Sequence, residues 1–186
     1  MAQMDMVPSP HSTQPRQYDA DELNTRLDGF ARLLHACVHA DASIGFVLPF
    51  SMDDAARFWR VDVMPTVAAR TRLLFAVEGA DGIMGTVQLD PATRPNQPHR
   101  AEVMKLLVHP AARRRGLARA LLAELERQAL TLGRTLLTLD TRTGDTAEPL
   151  YESLGYCTVG VIPGYALDPS GIDKLDATTI MYKTLE

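Results

Sequence analysis

Two cysteines in 186 residues, Cys37 and Cys157, form neither a disulfide framework nor the paired spacing of a metal site. No apolar run approaches the roughly 20 residues that a membrane-crossing helix needs. The N-terminus lacks the basic-then-apolar order of a secretory signal. Basic residues are not in excess: 19 Lys and Arg stand against 23 Asp and Glu, a net charge of -4, so general attraction to nucleic acid is not expected. Internal repeats and heptads are missing as well. What is left is a globular chain, 46% apolar, long enough for one substantial core. The expected setting is cytoplasmic, with no membrane and no nucleic acid as partner.

Residues 1–17 carry Pro8, Pro10 and Pro15 among polar residues and read as a disordered leader, and 18–186 as a single domain. From about Asp19 to Ala40, the spacing of Leu23, Leu27, Phe30, Leu34, Cys37 and Val38 predicts an amphipathic helix. After a loop or short strand over residues 43–50, Ser51 with Asp54 forms a capping box that starts a second helix bearing Phe58, Trp59 and Val63. The runs 72–78 and 82–89, separated by Gly79 to Asp81, predict a β-hairpin. Three prolines make residues 90–99 a loop. A strand over 101–108, a helix over about 116–132 stopped by Gly133, and a strand over 135–140 then form a crossover, so the two strands are expected to be parallel. A short helix ends at Gly155. Strands over 156–161 and 177–185 flank a loop holding Pro163, Gly164, Pro169 and Gly171. The fold class is therefore mixed α/β: a central sheet, antiparallel in its first half and parallel at its central pair, flanked by helices.

One feature of this plan suggests chemistry. The apolar run from Val103 to Val108 stops at His109-Pro110, and Arg113-Arg114-Arg115-Gly116-Leu117-Ala118 opens the long helix. Amides at a helix N-terminus lack intrahelical partners, and the helix dipole favours an anion there. Gly116 allows close approach of the backbone, and arginines add charge-assisted bonds to phosphate oxygens. A solvated charge run is the plainer alternative, but positive charge at a helix N-terminus opposes the dipole.

The turn, the strand before it and the helix after it resemble the GNAT superfamily of acetyl-coenzyme A-dependent N-acetyltransferases. That family's pyrophosphate turn reads Gln/Arg-x-x-Gly-x-Gly/Ala. A second family hallmark resembles Leu150-Tyr151-Glu152-Ser153-Leu154-Gly155-Tyr156. The resemblance covers about Arg70 to Leu185, and the first two helices more loosely. It departs at the start, where such enzymes open with a strand and Arg16-Gln17-Tyr18 is too short and polar to predict one. Residues 139–145 and 147–151, together with Ile162-Pro163-Gly164-Tyr165-Ala166 and Met181-Tyr182-Lys183, resemble the tabtoxin-resistance-type branch, which acetylates small amines.

The resemblance implies acetyl-CoA as cosubstrate and no metal. It assigns the pyrophosphate to Arg113, Arg114, Arg115, Gly116, Leu117 and Ala118, and the pantetheine arm to the backbone of Leu106, Leu107 and Val108. An amide near Leu107 would polarise the thioester carbonyl. Tyr151 takes the place of the family's acid, which protonates the leaving thiolate, although a bonded core tyrosine is the commoner role of that residue type. A primary amine with a pKa near 10 must lose a proton before it attacks. Asp140, at the C-terminal end of a central strand, is the first choice of base, and Glu102 the second. Ser43, Phe46 and Tyr165, with Trp59, are candidates for the acceptor pocket.

The expected function is transfer of an acetyl group from acetyl-CoA to a primary amine of a small molecule, such as an amino-acid-like toxin or antibiotic. Attack is expected to be direct, within a ternary complex. Rival readings are a protein lysine or N-terminal acetyltransferase and a non-catalytic acyl-CoA sensor. The resemblance also brings the homodimers frequent in such enzymes. His35, His39 and Asp41 invite a zinc hypothesis, but no His-Glu-x-x-His pattern accompanies them, so a structural pair is expected.

Overall fold

The computed structural model describes residues 14–91, 93–171 and 173–186. Among them, seven strands form one sheet in the order β1-β2-β3-β4-β5-β7-β6. These are β1 (Arg16–Tyr18), β2 (Leu73–Gly79), β3 (Gly82–Asp90), β4 (Arg100–Val108), β5 (Leu136–Arg142), β6 (Cys157–Leu167) and β7 (Leu175–Thr184). All neighbours are antiparallel except β4 and β5.

Of the expected leader, residues 1–13 lie outside the described residues. Its end is a correction: Arg16, Gln17 and Tyr18 pair with Ala76, Phe75 and Leu74 as an edge strand. Polarity misled the reading because an edge strand needs only one buried anchor. Here that anchor is Tyr18, whose ring packs on Phe30 while Arg16 lies over its face.

The first predicted helix is two, α1 (Ala20–Thr25) and α2 (Leu27–His39), broken at Arg26. Asp19 and Glu22 cap α1 reciprocally. The Ser51–Asp54 capping box starts α3 (Met52–Arg57). A π-helical segment, Phe58–Val63, then leads into α4 (Met64–Ala68). Pro65 has no N–H for Val61 and crowds its carbonyl, which accounts for the widened turn just upstream. That turn directs Trp59 and Val63 into the core.

Strand alternation divides the interior into two layers. Leu74 and Ala76 join Phe30, Leu34 and Trp59 beneath α1 to α4. Phe75, Val77 and Val87 face the other way, against Leu121, Leu122 and Leu125 of α5 (Leu117–Thr131) and Tyr151 of α6 (Ala147–Ser153).

Two irregularities in the centre of the sheet create the site. In β4, Thr86 pairs with Leu107 but Gln88 with Met104, so Lys105 and Leu106 share one opposing position. Lys105 takes a left-handed φ of 50° at this bulge. The parallel β4–β5 pairing also lasts only three residues, from Arg100↔Leu136 to Glu102↔Thr138, after which the strands part.

The expected loop after Val161 is a further correction. β6 continues to Leu167 and rejoins β7 at Ala166↔Asp176, with Pro163 to Tyr165 bulged out of register. Pro163 is tolerated because β6 is the outer strand, where one row of amides has no ladder partner to lose.

Candidate active site

The parted strands open a cleft of about 850 Å³. One end lies at the N-terminus of α5, and the other beneath the loop after α2 and the start of β7.

At the α5 end, Gly116 adopts φ 79° and Arg114 φ 62°. The first intrahelical bond runs from Ala120 N to Gly116 O at 3.0 Å. The amides of Leu117, Ala118 and Arg119 thus have no intrahelical acceptor, and no side chain among the described residues caps them. A Cβ added to Gly116 would meet nothing within 4 Å. Arg113, Arg114, Gly116, Leu117 and Ala118 all line the cleft; Arg115 is exposed and is not part of that lining. Arg119 takes that place, its guanidinium donating to Ser153 Oγ at 2.9 Å. Open amides, a left-handed glycine and three arginines fit a phosphorylated ligand.

Along β4, Leu106, Leu107 and Val108 line the cleft. His109 N donates to Met84 O at 2.9 Å, so strand alternation turns the Leu107 amide toward β3 as well. The amides of Leu106 and Val108, on either side of it, face the edge that β5 has left.

Tyr151 reaches the cleft from α6 with only 6% of its surface exposed, its ring edge-on to Tyr156 at 5.4 Å. Burial, and then the carboxylates of Asp140 and Asp145, push its pKa well above the ordinary phenol value. Asp140 is exposed to the cleft, and Thr178 Oγ1 donates to its Oδ2 at 3.2 Å. Glu102 also lines the cleft; it pairs with Thr138, two residues before Asp140, which puts both carboxylates on one face of the sheet.

Of the acceptor candidates, Ser43 and Tyr165 line the cleft, with Tyr165 half exposed at its rim. Phe46 and Trp59 do not. Phe46 packs against Phe50 and Phe58 at 4.8 and 5.1 Å, and Trp59 is fully buried against Phe30. Trp59 belongs to the core, whereas Phe46 is partly buried and its ring lies beside the cleft-lining Lys105 ammonium. His35 and His39 stack at 4.1 Å, and His39 Nε2 donates to Phe50 O at 2.9 Å. Asp41 turns away from them to Arg142.

Two groups escaped the sequence reading. Lys105, treated there as part of a core strand, lines the cleft. Its ammonium donates to Ile44 O at 2.6 Å and lies near the Phe46 and Phe58 rings, 5.6 and 6.0 Å from their centroids. Burial, and then Arg72, lower its pKa, with Asp140 opposing them. A charge in an otherwise apolar strand was the available signal, because burying it costs free energy unless it has a use. Arg142 is the other, engaging Asp41 at 3.0 Å, Asp145 at 3.4 Å and Asp176 at 3.6 Å. Nearby, Leu48 N donates to Pro169 O at 2.9 Å, joining the loop after α2 to the β6–β7 turn. A Cβ on Gly171 would lie 2.5 Å from Leu48 O, so this joint is closely packed.

Residues 49–156, more than half of the chain, match the model of the acetyltransferase (GNAT) family. An N-acetyltransferase of Azospirillum brasilense, encoded in its hisH-hisA intergenic region, is 35% identical over 116 residues; the match spans 60% of this chain and 66% of that protein. Two solved structures share the fold. An acetyltransferase of Salmonella typhimurium, solved with its cofactor acetyl-CoA, has a TM-score of 0.73 at 18% identity, with 96% of this chain and 95% of that one covered. A ribosomal-protein-alanine N-acetyltransferase of Brucella melitensis has a TM-score of 0.73 at 18% identity, covering 92% of this chain and 99% of its own. With the strand–turn–helix cradle and the cleft beside it, the match over residues 49–156 settles the family: this chain belongs to the GNAT acetyltransferases, which use acetyl-CoA.

Proposed function

We propose that this protein is an acetyl-CoA-dependent N-acetyltransferase acting on a primary amine of a small molecule, by direct attack within a ternary complex. The observation that carries this reading is that one cleft holds the open amides of α5, the free edge of β4, Tyr151 and Asp140. Bound acetyl-CoA supplies the acetyl group as a thioester. Arg113, Arg114, Arg119 and the α5 amides hold its pyrophosphate, and the Leu106–Val108 edge takes the pantetheine arm. The Leu106 or Val108 amide donates to the thioester carbonyl oxygen as negative charge develops there.

Asp140 accepts the proton the amine must lose, with Glu102 able to relay it through water. As the amine nitrogen forms the C–N bond and the C–S bond breaks, Tyr151 gives its proton to the leaving sulfur and regains one, through water, from the nitrogen that becomes the amide. Its raised pKa keeps that proton in place at neutral pH.

A small acceptor is favoured over a peptide because the acceptor end is roofed. Arg142 holds Asp41, and Leu48 holds Pro169. The motifs at residues 139–151 and 162–166 support membership of the tabtoxin-resistance-type branch.

The test is thiol release from acetyl-CoA across a panel of small amines, amino acids and peptides. Release with small amines is expected. Release with peptides alone would favour a protein-modifying enzyme, and acetyl-CoA binding without release would favour a sensor.

A further inference from the structure

Most of the charge around the acceptor end is already matched within the protein. Asp41, Asp145 and Asp176 surround Arg142, and Asp176 also holds Lys174 at 2.9 Å. The arginines of the turn lie at the other end of the cleft. Among the described residues, Lys105, Asp140 and Glu102 are different: all three line the cleft and none is in the ion pairs of this region, and Lys105 is the cation of the three. Asp140 competes with the Thr141 carbonyl for the single proton of one neutral hydroxyl, that of Thr178. The Lys105 ammonium donates once, to the neutral Ile44 carbonyl, leaving two of its three N–H groups without an acceptor among the described residues. A half-buried cation with open donors and a separate exposed carboxylate in one cleft are complementary to a ligand carrying both charges.

We propose that the acceptor is an amine that also carries a carboxylate, an amino acid in chemical class, and that Lys105 is the residue that recognises that carboxylate while Asp140 faces the amine. The left-handed bulge gives this a structural basis, since it turns one charged side chain of an otherwise apolar strand into the cleft. The bond to Ile44 and the Phe46 and Phe58 rings then fix the ammonium in place, which limits the entropy lost on binding. The lowered pKa of Lys105 fits a cation that its surroundings under-compensate.

The proposal rests on the N-acetyltransferase reading, and the test separates the two. Histidine, tyrosine and lysine are each compared with the matching amine lacking only the carboxylate: histamine, tyramine and cadaverine. Wild-type protein should favour the carboxylate-bearing member of at least one pair by about 10²-fold in kcat/KM. Lys105→Met should lose most of that preference with KM for acetyl-CoA unchanged, and Lys105→Arg should keep part of it. Calorimetric titration of the same pairs in the presence of coenzyme A reads carboxylate recognition whether or not an acetyl group moves. Equal use and equal binding of both members of every pair, or a Lys105→Met variant that loses both members alike, overturns the proposal. Binding that prefers the carboxylate without thiol release would sustain Lys105 and sink the acetyltransferase reading.

Discussion

Arg142 Nη2 bonds both the carboxylate and the main-chain carbonyl of Asp41, at 3.0 and 2.9 Å, so the end of β5 holds the loop that follows α2. Asp41 sits at a left-handed φ of 63°, a conformation that such a tether helps to maintain. Replacing Arg142 with Met should free this loop and leave Asp41 and Asp145 without their shared cation, while Asp176 keeps Lys174. The expected outcome in steady-state kinetics is a KM for the amine raised about 10-fold or more with little change in KM for acetyl-CoA, since the loss of one partner from a charged network disturbs what surrounds it. An equal rise in both constants would show that Arg142 supports the whole cleft.

Tyr151→Phe removes the hydroxyl and keeps the ring that packs on Tyr156. Turnover should fall about 10²-fold or more, with acetyl-CoA affinity retained. Single-turnover kinetics with calorimetric binding checks this, and unchanged turnover would exclude Tyr151 as the acid.

Gly116→Val puts a β-branched residue at φ 79°. No described residue lies within 4 Å of the added Cβ, so the effect should come from the backbone leaving its left-handed conformation and the anion turn with it. Coenzyme A binding measured by calorimetry should be lost, and normal binding would remove the turn from the cofactor site.

Buried phenols make the fold sensitive to alkali. Burial pushes Tyr18 up to about 12, and burial likewise raises Tyr151 and Tyr156. The folded state favours the neutral phenols, so their contribution is complete below the ordinary value of about 10 and is lost as pH rises above it. Thermal unfolding midpoints should be level near pH 8 and fall above about pH 10, and Tyr18→Phe should flatten part of that fall.

Gly85 packs where β3, β4 and α5 meet. An added Cβ would lie 2.9 Å from Leu107 O and 3.1 Å from Leu121 Cδ1, and the nearer of these is backbone. Gly85→Ala should destabilise the fold by about 1–3 kcal/mol, read by denaturant unfolding.

Sequence patterning located the helices, the hairpin and the crossover because each is governed by contacts close in the chain. The capping box at Ser51 and Asp54 and the stop at Gly133 are of that kind. Arg16–Tyr18 and the far half of β6 were missed because their strand character comes from partners distant in sequence, Leu74 to Ala76 for one and Leu175 to Asp176 for the other. The same division holds at the site. The turn at Gly116 is local and was legible, whereas the exposure of Lys105 depends on a register shift against Thr86 and Gln88 that no spacing within β4 reveals. Trp59 failed for the converse reason, since only the packed core distinguishes a lining aromatic from a buried one.

The three-residue pairing of β4 with β5 has a consequence for solubility. Unpaired amides along the outside of a sheet invite another chain to add a strand, which is the usual origin of edge-to-edge aggregation. Here the unpaired row lies between two strands of the same sheet, with helices on both faces. The row freed on β4 therefore faces the cleft within the sheet, while the outward edges of the sheet are β1 and β6.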